Sequence, residues 1–194
     1  MTNTECSVIA TRLRGFAPQP GWFIRKPEGI HGLGHETRVL IWSQVLTSMV
    51  RDEDLKVDGN VLGWAAAVHD TQRWNDGIDA GHGARAADWI LERPHLIPAP
   101  VSLDRIAYIC RWHVPNDGDA PEMTPELRVF KDADALDRWR IDDLDLAYLR
   151  INAAKQLLDA SYALWEDTHG FIDATEMFDQ IIDVARTQGL VVDA

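Results

Sequence analysis

The sequence predicts an all-α fold in a single domain, 1–194, and three observations support this prediction. Apolar residues recur at helical spacing over most of the chain after residue 32. Proline and glycine cluster in short breaks between these segments, and no repeat or long linker divides the 194 residues. The alternation of apolar and polar residues that is typical of strands is scarce. A chain of this length can form one substantial core.

Charge and cysteine content limit the class of protein. The formal net charge is −12, which argues against general nucleic-acid binding and against attachment to anionic membranes. No apolar run reaches the ~18 residues of a membrane span, and no basic-then-apolar signal opens the chain. Cys6 and Cys110 form no disulfide framework or zinc ribbon, which fits a reducing compartment. We therefore expect a cytoplasmic protein that is not bound to a membrane.

The N-terminal third divides into an irregular segment and two helices. Residues 1–32 predict irregular structure, because APQPGW and KPEGIHG are dense in proline and glycine. A helix is predicted over 35–51, where apolar residues return at alternating steps of four and three and form one stripe. The next helix, over 60–70, is apolar almost all round, which is typical of a central buried helix.

Five further helices complete the prediction. A polar loop rich in glycine and aspartate, 73–83, follows the central helix. The helices after it are predicted over 82–93, 102–113, 124–141, 152–166 and 173–188. Ser102 and Thr124 are the expected N-caps of two of them, and Pro125 occupies a first helical position.

Histidines and acidic residues occupy inward-facing positions on five of these helices. The stretch AAAVHD ends an apolar helix with His69 and Asp70, two groups that are expensive to bury. The other residues on inward stripes are His35, His82, His113 and Asp134. A core that collects several imidazoles and carboxylates needs a compensating charge, which a divalent cation would supply. For any single histidine, the alternative is a hydrogen-bonded core residue.

The order of these residues resembles the signature of the HD-domain superfamily of metal-dependent phosphohydrolases. His35 leads a helix in HETRV, the doublet His69-Asp70 comes as AAAVHD, and Asp134 is the second Asp of DAD in FKDADALDR. The resemblance implies a single HD-type helical domain with a buried metal site between helices. Its motif-bearing core is 31–141, and additional helices follow in 142–194.

Two more histidines resemble a subset of the superfamily that binds two metals, His82 in GHGARAA and His113 in AYICRWH. The resemblance implies that Asp70 bridges two ions, with His82 and His113 on the second. The implied ligands of the first ion are His35, His69, Asp70 and Asp134. This donor set suits Fe, Mn, Co, Ni or Zn better than Mg. Alternatively, His82 and His113 contact substrate.

The resemblance implies hydrolysis of a phosphate ester in a small phosphorylated molecule, with a nucleotide as the first candidate. Metal-activated water would be the nucleophile, and Asp70 would be catalytic as the bridging ligand. Arg73, four residues after His69 in HDTQR, would bind the phosphate and assist catalysis. The alternative for Arg73 is a solvated side chain that pairs with Asp76 or Asp79.

Two functions of other classes remain open, a di-iron oxygenase of this fold and a non-catalytic domain that binds metal and nucleotide. The sequence also leaves Asp137 open between orienting a ligand and being an exposed carboxylate. Arg38 is predicted in a surface ion pair, and His31 is predicted as a loop or entry residue. His95 and His169 are predicted at the surface, and the oligomeric state is open.

Overall fold

The computed structural model describes residues 8–50 and 55–193. Helices dominate these residues, which confirms the all-α prediction. The helices are α1 (Ala10–Arg14), α2 (Leu33–Met49), α3 (Gly59–Val68), α4 (His82–Leu91), α5 (Leu103–Trp112), α6 (Pro125–Ala135), α7 (Asn152–Lys155), α8 (Leu158–Thr168) and α9 (Met177–Thr187). None of the described helices has the length and apolar character needed to cross a bilayer. Cys6 and Arg51, the predicted end of the first long helix, lie outside the described residues.

A short strand and the helix α1 correct the prediction of irregular structure before residue 32. Strand β1 (Val8–Ile9) pairs in parallel with β2 (Val191–Val192), and Val8 lies opposite Val191. Both valines are buried. Because the partner strand lies at the other end of the chain, no local pattern could have indicated this pairing.

Helix α2 is the centre of the fold and packs against α3, α6 and α9. The sequence predicted one buried stripe, but almost every side chain of α2 is buried, including the polar residues His35, Glu36 and Arg38. Neighbouring helices cover all of its faces, so polar groups on α2 must find partners inside the protein. Helices α4 and α5 pack closely together, and α5 also contacts α3.

Helix ends agree with the capping predictions at two positions and differ from the prediction at a third. Ser102 accepts a hydrogen bond from a backbone N–H of α5, and Thr124 does the same for α6, as predicted. The prediction of one helix over 124–141 is wrong, because α6 ends at Ala135 and a separate 3₁₀ turn follows at Arg138–Ile141. The segment predicted as one helix over 152–166 is likewise divided into α7 and α8.

Candidate metal centre

The structure brings the six predicted ligand residues together from five helices. They come from the first turn of α2, the C-terminal ends of α3, α5 and α6, and the first position of α4. Three ligand-type groups lie close enough to hold an ion, with all contributing atoms within 4.8 Å of one another in each group. These groups are His35–His69–Asp134, His69–Asp70–His113 and His31–His35–Asp70.

Each of the four predicted histidine ligands has its Nδ1 atom against an oxygen acceptor. The Nδ1 distances are 2.8 Å for His35 to Asp137 Oδ2, 3.1 Å for His69 to the Ala66 carbonyl, 2.5 Å for His82 to the Asp79 carbonyl, and 2.7 Å for His113 to the Cys110 carbonyl. An Nδ1–H that donates to oxygen leaves Nε2 of a neutral ring as a lone pair. This arrangement is the usual one for metal-binding histidines.

The Nε2 lone pairs face one another in two pairs. The Nε2 atoms of His35 and His69 lie 3.1 Å apart, and those of His82 and His113 lie 3.0 Å apart. Two lone pairs have no proton to share, so each contact is repulsive unless a cation lies between them. Ligand atoms held at about 2.1 Å from one metal ion are about 3.0–3.4 Å apart at ordinary coordination angles. The observed spacings therefore fit a metal ion.

Asp70 connects the two histidine pairs. Its Oδ1 lies 2.8 Å from Nε2 of His82, and its Oδ2 lies 3.6 Å from Nε2 of His35. Asp70 Oδ1 is buried and makes no hydrogen bond within the described part of the chain. Asp134 adds a second carboxylate, with Oδ1 at 3.4 Å from Nε2 of His35. A cation on each side of Asp70 would satisfy both of its oxygens.

Protonation of the cluster also fits a metal site. Burial holds the pKa of His35 well below its ordinary value and lowers that of His69 to about 4. Burial alone would raise the pKa of Asp134, but His35 and Arg140 lower it to about 2. Burial would also raise the pKa of Asp70, yet His69 and the other histidines around it hold that pKa well below its usual range. Neutral imidazoles beside ionised carboxylates are the state in which these groups bind metal.

The surrounding side chains fix the ligands in place and correct one prediction. Asp137 is buried, accepts from His35, and binds the guanidinium of Arg38 at 2.5 Å, so it orients a cluster histidine. The predicted surface ion pair of Arg38 is therefore wrong, because this pair lies inside the protein. Glu36 accepts the backbone N–H of Asp70 at 3.3 Å, and burial raises the pKa of Glu36 well above its ordinary value. Phe130 packs edge-on against His69.

His31 belongs to the cluster, and its interpretation as a loop or entry residue was incomplete. It lies in the turn before α2, with Nδ1 at 2.8 Å from Asp70 Oδ2. The glycines of HGLGH obscured a continuous helical pattern, although the close spacing of His31 and His35 was a visible signal. By contrast, His95 and His169 are exposed, as predicted.

Arg73 is buried and lies against the cluster, with Nη1 at 3.5 Å from Asp70 Oδ2. The alternative of pairing with Asp76 or Asp79 is wrong, because these carboxylates pair with Arg25 and Arg85. Arg73 lines an open cleft of about 490 Å³. The other cleft residues at the cluster include His31, Asp70, His82, His113, Asp134 and Arg140. Arg140 was not among the predicted site residues, because its placement depends on the 3₁₀ turn after α6.

Comparison of the chain with protein-family models, curated proteins and solved structures gave no match. The resemblance to HD-domain proteins therefore stays a prediction from the motif. The geometry of the buried histidines and carboxylates is the evidence for a metal-binding site.

Proposed function

We propose that the protein is an HD-type, metal-dependent phosphohydrolase that cleaves a phosphate ester in a small molecule, with nucleotides as the first substrates to test. The observation that carries this proposal is the convergence of three imidazole Nε2 atoms on Asp70, which lines an open cleft. A fourth, that of His69, lies 3.1 Å from Nε2 of His35. Arg73 lies beside the same carboxylate, which places a cation suited to phosphate next to the cluster.

The proposed cofactor is one or two divalent transition-metal ions. The histidine nitrogens and carboxylate oxygens favour Fe, Mn, Co, Ni or Zn over Mg. The residues that would hold the first ion are His35, His69, Asp70 and Asp134. Asp70 would also hold the second ion with His82 and His113. When bound, such an ion supplies a water of lowered pKa and a Lewis acid for the phosphoryl oxygen.

The residues of the chain position and orient the reacting groups. Asp70 presents one oxygen to each histidine pair, so it fixes the spacing of the site. Arg73 would hold the phosphate with a guanidinium that is itself held by the Gly77 carbonyl at 2.7 Å. Cys110 is fully buried, and burial raises the pKa of its thiol, which disfavours a thiolate nucleophile. A water nucleophile is the remaining route that these groups favour.

The cleft has room for more than a phosphate group. A neighbouring cavity of about 760 Å³ shares His113 and Asp134 with the first cleft and extends past Pro115, Leu144 and Tyr148. Its size is in the range of small-molecule sites. A phosphate at the cluster would leave the organic part of the substrate beside these apolar side chains.

Metal analysis combined with a phosphate-release assay tests the proposal. The purified protein is expected to contain transition metal and, after reconstitution, to release phosphate from at least one member of a nucleotide panel in anaerobic buffer. Asp70→Ala is expected to abolish both metal retention and turnover, whereas the exposed control Asp119→Ala should retain them. Activity that survives Asp70→Ala and exhaustive chelation would overturn the proposal. Turnover that requires iron and oxygen would assign the site to an oxygenase instead.

A further inference from the structure

At the rim of the cleft, each acidic side chain is paired with an arginine. Three carboxylates line the rim, and the pairs are Asp76 with Arg25, Asp79 with Arg85, and Asp143 with Arg138. These pairs leave no unmatched acidic group among them to attract a cationic ligand.

The carboxylates inside the site are also matched with arginines. Three carboxylates lie at the cluster, and each has an arginine within 4.0 Å: Asp137 has Arg38 at 2.5 Å, Asp70 has Arg73 at 3.5 Å, and Asp134 has Arg140 at 3.9 Å. With neutral histidines, the formal charge of these six residues is zero. Each divalent ion that binds Asp70 or Asp134 therefore adds two positive charges, and a buried excess of this kind needs an anionic partner.

Backbone carbonyls orient both arginines beside the cluster, and Asp137 Oδ2 also lies 3.7 Å from Nη1 of Arg140. Arg73 donates from Nη2 to the Gly77 carbonyl at 2.7 Å, and Arg140 donates from Nη1 to the Asp137 carbonyl at 2.9 Å. Carbonyls fix the orientation of a guanidinium without cancelling its charge. The Nε of Arg140 is buried and has no hydrogen-bond partner in the described ranges. Arg140 therefore keeps unused hydrogen-bonding capacity, while Asp134 and Asp137 balance its charge until a cation binds the cluster.

The two arginines approach the two ends of a single contact. Arg73 Nη1 lies 3.5 Å from Asp70 Oδ2, and Arg140 Nη2 lies 3.3 Å from His31 Nδ1. His31 Nδ1 and Asp70 Oδ2 are themselves 2.8 Å apart. Both guanidinium groups therefore lie beside the same contact between His31 and Asp70.

We propose that Arg73 and Arg140 form a two-arginine clamp that selects phosphomonoesters over phosphodiesters. This inference rests on the proposed function and specifies its substrate class. A phosphomonoester carries three non-bridging oxygens and up to two negative charges, so it has one oxygen for the metal side and one for each arginine. A phosphodiester has two such oxygens and one charge, so one guanidinium would stay unmatched.

A pair of esters with the same leaving group tests the clamp. The Mn²⁺-loaded protein is assayed with p-nitrophenyl phosphate and bis(p-nitrophenyl) phosphate. We expect kcat/KM to favour the monoester by more than about tenfold. Arg140→Gln should lower kcat/KM for the monoester by about 10- to 100-fold and change that for the diester by less than about threefold. The control is Arg128→Gln, which removes an exposed arginine of α6 and should change neither value.

Binding of inorganic phosphate gives a second readout that does not depend on turnover. Calorimetry on the Mn²⁺-loaded protein should show phosphate binding that weakens by about tenfold or more in Arg140→Gln. Arg140→Lys keeps the charge and should restore part of the affinity, and it also serves if the glutamine variant fails to fold. Metal content is measured in each variant to confirm loading.

The outcomes separate the clamp from the proposed hydrolase. Preference for the diester, or equal phosphate affinity in wild type and both Arg140 variants, would overturn the clamp while leaving hydrolysis intact. Hydrolysis of neither ester, together with phosphate binding that depends on Arg140, would count against the hydrolase and support the clamp as an anion site.

Discussion

The two histidine pairs of the cluster differ in what surrounds them. The inner pair, His35 and His69, is carried by the central helices α2 and α3 and is 1% and 0% exposed. The outer pair, His82 and His113, borders the cleft at the ends of α4 and α5 and is 5% and 8% exposed. The same chemical groups thus occupy an enclosed position and an accessible one. In the proposed hydrolase, the inner pair would retain an ion, and the outer pair would lie nearer to the substrate.

His35 differs from the other three histidines of the cluster in what orients its ring. His35 is oriented by Asp137, which lies 102 positions away in sequence and is locked by Arg38. His69 and both outer histidines are oriented by backbone carbonyls three residues before them. The orientation of His35 therefore depends on tertiary packing, whereas that of the other three depends on local backbone geometry.

Removal of one histidine from each pair should have the largest effects and should separate their roles. His69→Ala is expected to lose the inner ion and to reduce phosphate release by at least about 1,000-fold, because a metal Lewis acid supplies several kcal/mol. His113→Ala is expected to keep about one ion per chain and to show a smaller loss of turnover. Elemental analysis and the phosphate assay measure both quantities, with His95→Ala as the surface control. Equal metal content in the two variants would contradict the division into inner and outer pairs.

Lowering the pH should decrease the free energy of unfolding of the metal-free protein, because the inner histidines are buried in the neutral form. The pKa of His69 is about 4 in the fold, against an ordinary value of 6.5. Between these values the unfolded chain binds more protons, so the free energy of unfolding falls as pH decreases from 6.5 to 4. The contribution of His69 is about 3 kcal/mol, fully lost below pH 4. Denaturant unfolding in chelator at several pH values measures it.

The matched variant for this measurement is His69→Leu, which removes the titrating group and keeps an apolar side chain in the core. Its unfolding free energy should depend less on pH between 6.5 and 4 than that of the wild type. His95→Gln, at an exposed position, should reproduce the wild-type curve. Because Glu36, with its raised pKa, has the opposite pH dependence, the comparison of the two variants is decisive. Equal pH dependence in wild type and His69→Leu would show that the His69 imidazole is not held neutral by burial.

Helical periodicity was enough to predict that six residues of the site face the interior of the fold. On α2 and α6 the inward faces carry His35 and Asp134, and the apolar residues around them indicate direction. His69 and His113 directly follow α3 and α5, where the helix axis still fixes their position. The all-α fold follows from the same spacing.

Helical periodicity could not predict the positions of site residues that lie outside regular helices. His31 lies in a turn and Arg140 in a 3₁₀ segment, where no repeat of 3.6 residues gives direction. The end of α6 at Ala135 is marked by no glycine or proline, so the sequence extended the helix through Asp137. Asp137, two residues after that end, instead contacts His35 and Arg38 of α2, and the local sequence pattern does not indicate these contacts.

The smallest of the expected effects concerns Asp137, whose contact distinguishes His35 from the other three histidines. Asp137→Asn keeps the shape of the side chain but removes the charge that orients His35 and pairs with Arg38. Loss of such a partner typically lowers metal affinity by about 10- to 100-fold. Competition with a chelator should show this loss for the more tightly held ion, while the second ion changes little. Asp143→Asn, an exposed carboxylate near the same turn, is the control. A loss confined to the weaker ion would mean that Asp137 supports the outer pair, and the contrast between the pairs would then be reversed.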